Sequence, residues 1–233
     1  MKRDLLDRLL KARAAGVPLA VVTDLNSGLQ TLVFQEGVHG GFGLEEAHLA
    51  AVRERIRQDL SGLIDEGEDG VRLFVQVHNP PLRLIVVGAV HIAQLLAPLA
   101  QQVGYAVTVV DPRTAFATEA RFPGVPLVHA WPDEALTTLG LDARTAVVTL
   151  THDPKIDDPA LQVTLRSPVF YVGALGSRRT HARRLDRLRD QGFSEVELTR
   201  IRAPVGIDIG AETPAEIALS VIAEVVAARR GAL

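Results

Sequence analysis

The sequence predicts an α/β protein. A Rossmann-type, doubly wound parallel sheet forms the C-terminal domain, and a small α+β domain precedes it. Three observations carry this prediction. Short apolar runs alternate with helical patterns from about residue 82 onward, which is the signature of a parallel sheet. The run at residues 84–87 is apolar at every position, as a strand buried on both faces must be. A glycine-led turn, Gly88-Ala-Val-His-Ile-Ala93, follows that strand and opens a helix.

The elements follow in order. Residues 4–15 have leucines at helical spacing (Leu5, Leu6, Leu9, Leu10) and stop at Gly16, predicting a short amphipathic helix. Residues 18–22 and 29–34 read as strands joined by an Asn26-Ser27-Gly28 turn, a hairpin. A glycine-rich loop, Gly40-Gly-Phe-Gly43, leads into a helix over about residues 44–64, and residues 71–77 form a strand. His78-Asn-Pro-Pro81 continues neither element, because two prolines remove donors. The domains are therefore 1–79 and 80–233. Further strands are expected at residues 106–110, 126–129, 146–150 and 169–172. Helices are expected at residues 91–103, 134–139, 159–165, 178–190 and 214–229. Pro98 falls inside the first of these helices and should kink it.

Composition narrows the functional classes. The chain has 233 residues, 47% of them hydrophobic and 23% charged, with a net charge of −3. No overall basic surface is available for nucleic acid. No cysteine is present, which excludes disulfides, thiolate metal sites and cysteine nucleophiles. The N-terminus lacks the apolar core of a signal peptide, and no stretch approaches membrane-spanning length. A cytoplasmic protein with no membrane partner is expected.

In a doubly wound sheet, ligands bind at the carboxyl ends of the strands. The loops there hold the candidate site residues. In the first, Gly88 makes the tight turn and Ala89 and His91 follow it. Asp111 ends the next strand, where it could hold a ribose hydroxyl or simply terminate the strand. Val90 stands where a second glycine lets backbone approach a pyrophosphate, so ordinary NAD binding is disfavoured. In the second loop, Thr151, His152 and Asp153 lie at the sheet edge. A His with three Asp nearby suggests metal, but the spacing matches no standard site. Asp158 before Pro159 reads as the N-cap of the following helix.

In the third loop, Gly173, Gly176 and Ser177 precede Arg178 and Arg179. Free backbone N–H groups, a helix N-terminus and two guanidinium groups suit a phosphate or carboxylate. The later arginines (Arg183, Arg184, Arg187, Arg189) read as a solvated face partly paired with Asp186 and Asp190. In the fourth loop, Gly206 and Gly210 bracket Asp208, which could accept hydrogen bonds from a heterocycle or be an exposed turn residue. Thr213, Pro214 and Glu216 form a capping box with proline at N1. Ser177 and His181 lack a triad-like setting, so nucleophilic hydrolysis has no support.

Taken together, Gly88-Ala-Val-His-Ile-Ala93, Val109-Val-Asp-Pro-Arg113, Thr151-His-Asp-Pro-Lys155, Tyr171-Val-Gly-Ala-Leu-Gly-Ser-Arg-Arg-Thr-His181 and Pro204-Val-Gly-Ile-Asp-Ile-Gly-Ala-Glu-Thr-Pro-Ala-Glu-Ile217 resemble the XdhC/CoxI family. Its members are accessory factors for xanthine dehydrogenase and related molybdenum hydroxylases. The resemblance runs from about Leu82 to the C-terminus. It implies a Rossmann domain that carries molybdenum cofactor (molybdopterin) as cargo, supports its maturation and helps insert it into a client enzyme. It further implies a molybdenum hydroxylase partner, a cysteine desulfurase as a second partner, and a homodimer. It implies a maturation factor rather than a redox catalyst. Val90 and Ala93 replace two glycines of the fuller family loop, and the nearest feature to the Gly-Gly-Cys segment often found in family N-terminal domains is Gly40-Gly-Phe-Gly43. The competing readings are an NAD(P)-dependent oxidoreductase and a nucleotide-binding regulatory module.

Overall fold

The computed structural model describes residues 1–65 and 70–233. The chain divides into two compact units, Met1–Pro80 and Pro81–Leu233.

The first unit is an antiparallel sheet with one helix on each face. It contains α1 (Arg3–Ala14), β1 (Leu19–Asp24), β2 (Gln30–Phe34), β3 (Val38–Gly40), α2 (Glu46–Gln58), β4 (Gly62–Asp65) and β5 (Arg72–His78). The strand order is β3-β2-β1-β5-β4. Alternation along β1 sends Leu19 and Val21 to one side, against Leu5 and Leu9 of α1. Ala20 and Val22 face the other, against Val52 and Ile56 of α2. This is the period-two burial of a central strand.

The helix expected over residues 44–64 is in fact two elements. Asp59 takes a left-handed conformation (φ 56°) and ends α2, and β4 begins at Gly62. Asn79 fixes this break by donating its amide to the Ile56 carbonyl, 2.6 Å away, and to Asp59. The glycine-rich loop has a packing role. A Cβ on Gly40 would lie 2.3 Å from the Thr31 Cα, and the Thr31 hydroxyl donates to the Phe42 carbonyl at 2.9 Å.

The second unit contains β6 (Leu82–Val87), α3 (His91–Gln102), β7 (Tyr105–Val110), β8 (Leu127–Val128), α4 (Pro132–Leu139), β9 (Thr145–Thr149), α5 (Pro154–Leu165), β10 (Tyr171–Ala174), α6 (Arg178–Asp190), α7 (Glu195–Leu198), β11 (Ile201–Arg202) and α8 (Pro214–Arg230). All strand pairs in it are parallel. The order β11-β10-β9-β6-β7-β8 is the Rossmann order 6-5-4-1-2-3, with its topological switch point between β6 and β9. Leu84 and Val86 pack under α3 and α8. Ile85 and Val87 pack under α4, α5 and α6. Both faces of β6 are thus covered, which is why residues 84–87 carry no polar side chain. Pro98 sits inside α3, which runs unbroken past it. The short strand β11 carries no pattern of its own, whereas α7 opens on the capping box Ser194-Glu-Val-Glu197, a helix-start signal.

Three local readings need correction. The helix expected to start at Pro159 starts at Pro154, and Asp153 is its N-cap, accepting from the Lys155 N–H at 2.9 Å. Asp157 and Asp158 therefore lie inside α5 and are buried. Arg184 is not on a solvated face: it is 1% exposed. Arg187 and Arg189 are paired, but Arg187 holds Asp158 in a bidentate bond (2.5 and 2.9 Å), and Arg189 binds Glu195 as well as Asp186.

Candidate functional site

The loops after β6, β7, β9 and β10 meet at the carboxyl edge of the parallel sheet. Gly88 has φ 108°, and a Cβ built on it would lie 2.4 Å from Cγ2 of Thr151. Only glycine fits, for conformational and steric reasons together. The loops that flank the switch point are therefore in contact through Gly88 and Thr151.

Asp111 ties the next loop to the first. Its side chain is fully buried. One oxygen accepts from the Ala89 N–H at 2.8 Å. Both oxygens are gripped by Arg113, at 2.9 Å to Nε and 2.7 Å to Nη2, and the Arg113 N–H adds a bond at 2.9 Å. Burial pushes the Asp111 carboxyl up, but the bonds from Arg113 and Ala89 outweigh it and hold the group below its ordinary value. Of the two roles open to Asp111, the geometry displays the structural one. Arg113 lies over the Phe116 ring, 4.4 Å from its centroid.

Asp157 organises the third loop. It accepts from the Thr151 hydroxyl at 2.6 Å and the His152 N–H at 3.0 Å. Thr151 Oγ1 in turn accepts from the Asp153 N–H at 3.1 Å. This network holds His152 in a left-handed conformation, φ 62°, which is uncommon for a residue with a side chain. Its imidazole is left exposed. Burial raises the Asp157 carboxyl above its ordinary value, and the Thr151 bond and the Arg184 charge offset only part of this.

The loop after β10 is anchored from three sides. The Leu175 N–H donates to the Thr149 carbonyl at 2.8 Å, and the Ala174 carbonyl accepts from Val205 at 3.2 Å. The Leu175 carbonyl accepts from Nη2 of Arg184 at 2.8 Å. Gly173, expected in the loop, lies instead within β10, paired with Val148 and Arg202; it is buried, and a Cβ there would lie 2.6 Å from Val205 and 2.8 Å from the Tyr171 ring. Gly176 has φ 138°, and a Cβ on it would come 3.6 Å from Nδ1 of His152. Ser177 caps α6 by accepting from the Thr180 N–H at 3.2 Å. Arg178 and Arg179 follow, exposed, with no intramolecular hydrogen bond or ion pair among the described residues.

Gly88, Ala89, Asp111, Thr151, His152, Asp153, Gly176 and Ser177 thus form one connected edge, with Arg178 and Arg179 at its rim. Besides those two arginines, His91 and Asp208 are joined to this edge by no contact of their own among the described residues. His91 is exposed at the start of α3 and meets Gln94 at 3.3 Å. Asp208 is exposed, and among the described residues it accepts only from the Gly210 N–H of its own turn, at 3.3 Å. The loop that carries Asp208 is pinned upstream. Glu224, buried on α8, accepts from the Tyr171 hydroxyl and the Gly206 N–H, both at 2.6 Å. Burial and Glu224 together push the Tyr171 phenol far up. Among the described residues, no three His, Asp or Glu side chains converge as a metal site. No helix among them is long and apolar enough to cross a membrane.

Sequence reasoning missed Arg184 and Asp157. Arg184 makes one full hydrogen bond and stands 3.7 Å from Asp157, while its Nε and Nη1 are buried without a partner. An unmet buried polar group costs about 1–3 kcal/mol, so this guanidinium is an unusual thing to bury. A signal was available: Arg184 precedes Leu188 by four residues and so shares its buried helix face.

Comparison with known proteins places this architecture. A family model described as the XdhC Rossmann domain matches residues 84–225. The chain is 39% identical over 151 residues to the molybdenum cofactor insertion chaperone PaoD of Escherichia coli K12, covering 65% of this chain and 41% of PaoD. It is 34% identical over 197 residues to the uncharacterized protein YqeB of the same organism, covering 80% and 36%. It is 30% identical over 214 residues to a probable xanthine dehydrogenase subunit of Bacillus subtilis 168, covering 88% and 63%. The chain therefore spans about a third to just under two thirds of these relatives. A crystal structure described as a xanthine dehydrogenase from Bacillus halodurans superposes with a TM-score of 0.76 at 26% identity, over 98% of this chain and 67% of that one. With the model matched over most of the chain and each loop motif on the carboxyl edge of a Rossmann sheet, this chain belongs to the XdhC family.

Proposed function

We propose that this protein binds molybdenum cofactor as cargo and supports its maturation and insertion into a molybdenum hydroxylase of the xanthine dehydrogenase type. The observation that carries the reading is the rim of the parallel sheet, where Arg178 and Arg179 stand exposed and unpaired beside a glycine loop and a helix N-terminus. Such a site suits an anion, and molybdopterin carries a phosphate on a hydrogen-bonding pterin. Similarity to PaoD supports the same reading.

In this proposal the loop of Gly176 and Ser177, set by Gly173 packing inside β10, takes the phosphate with Arg178 and Arg179. Thr151, His152, Asp153 and Asp208 face the polar ring. Gly88, Ala89, His91 and Asp111 shape the opposite wall. A homodimer, and exchange with a cysteine desulfurase, belong to the same proposal and are tested by sedimentation and by co-purification. The direct experiment is anaerobic, reducing purification of the full chain from a host that makes molybdopterin, followed by oxidation and pterin fluorescence. Near-stoichiometric pterin is expected, and its absence contradicts the proposal.

One observation favours a dinucleotide instead: the strand order is that of dinucleotide-binding domains. Against it, the Asp111 carboxylate that would meet a ribose is already bound by Ala89 and Arg113. Tight calorimetric binding of NAD(H) or NADP(H) would establish that reading. Co-purification with a molybdenum hydroxylase separates the accessory role from a regulatory nucleotide-binding module.

A further inference from the structure

Beside the carboxyl edge, between the first turns of α5 and the first half of α6, lies a cavity of about 190 Å³ lined by His152, Pro154, Asp157, Thr180, Arg183, Arg184 and Arg187. Its volume equals about six waters at about 30 Å³ each. Its charges do not balance internally. Arg187 is committed to Asp158 through two bonds. Arg184 shares Asp157 only at 3.7 Å. Arg183 is exposed and has no ion pair among the described residues. One lining residue is also under-bonded: Arg184 is 1% exposed, and its Nε and Nη1 are buried with no hydrogen-bond partner among the described residues.

We propose that this cavity is a binding site for a tetrahedral oxyanion of the phosphate class, held by Arg183 and Arg184 with Thr180 and His152 at its side. A guanidinium offers a planar fork of donors that matches such an anion, and two on one helix can share it. The cavity wall includes first-turn residues of α5 and α6, where helix dipoles favour negative charge. Asp157 is the one carboxylate in the wall. Its oxygens already accept from the Thr151 hydroxyl and the His152 N–H. The site shares only His152 with the rim described above, and it does not depend on what cargo that rim carries.

The test is calorimetric titration of the full chain with inorganic phosphate in about 0.15 M KCl, where diffuse attraction to surface arginines is screened. One saturable site per chain is expected. Arg183→Ala changes an exposed side chain and should weaken binding at least tenfold without loss of folding. Arg184→Lys keeps the charge, loses the fork, and should weaken binding to a similar extent, with folding checked by circular dichroism. The Arg189→Ala variant changes an exposed α6 arginine that does not line the cavity, and it should bind phosphate as the parent does. A phosphate monoester, glycerol phosphate, is titrated in competition. Competition means the site takes an esterified phosphate, failure to compete means it takes the free ion, and either result supports the pocket. Absence of saturable binding overturns the proposal, as does binding unaffected by Arg183→Ala. Binding lost in Arg178→Ala/Arg179→Ala but kept in Arg183→Ala would assign the anion to the rim and overturn the proposal.

Discussion

Two walls of the same sheet edge differ in how their charge is used. At the Gly88–Asp111 wall the buried charge is fully partnered: Asp111 meets Ala89 and Arg113, and Gly88 abuts Thr151. At the α6 wall, the side chains of Arg178, Arg179 and Arg183 have no partner among the described residues, and Arg184 is buried with two nitrogens unmet. A satisfied wall is a scaffold whose residues act on stability. An unsatisfied wall has bonding capacity left for a ligand. Substitutions on the first should therefore change folding, and substitutions on the second should change binding with little effect on folding.

The largest effect is expected at Gly88. Gly88→Ala puts a Cβ into the Thr151 side chain at a positive φ. The steric and conformational costs, about 1–3 and 1–2 kcal/mol, should together lower stability by roughly 3 kcal/mol in urea unfolding monitored on the intact chain. Next comes Asp111→Asn, which removes a charged acceptor of Arg113 and should cost about 2 kcal/mol. Because the folded state holds the Asp111 carboxyl below its ordinary value, its contribution is complete above that value. It fades as pH falls through the folded one. Unfolding curves of parent and variant should thus converge toward acid pH, and a gap that widens there would contradict the assignment. Glu224→Gln should follow at about 1–2 kcal/mol, because the Tyr171 and Gly206 bonds lose their charged acceptor. Nuclear magnetic resonance of the Gly206 amide would report the local loss directly. The smallest stability effect belongs to Arg178→Ala/Arg179→Ala, whose melting midpoint should match the parent while cargo binding falls at least tenfold.

The same contrast explains what could be read from sequence. The Rossmann class was legible because it rests on local signals. Residues 84–87 are apolar throughout, and Thr213 and Glu216 form the capping box seen at the start of α8. Features decided by distant partners were not legible. Asp-Pro occurs at Asp153-Pro154 and again at Asp158-Pro159, and either could start a helix. The choice falls to Asp153 because Asp157 is drawn to Thr151 and His152, and Asp158 to Arg187. The break between α2 and β4 depends on Asn79, 23 residues beyond Ile56. At the site, the glycines and Arg178 and Arg179 were visible as a motif. Arg184 was not, because an arginine among arginines reads as surface until its helix face is set by Leu188.

The comparison of the two walls, and with it the proposal of a cofactor-carrying rim, meets its most direct test in one measurement. That measurement is pterin bound per chain after anaerobic purification of Asp111→Asn and Arg178→Ala/Arg179→Ala beside the parent. The account predicts near-stoichiometric pterin on the parent, retention on folded Asp111→Asn, and loss of at least nine tenths on the arginine variant with its melting midpoint unchanged. Pterin retained in full by the arginine variant, or absent from the parent, would contradict it.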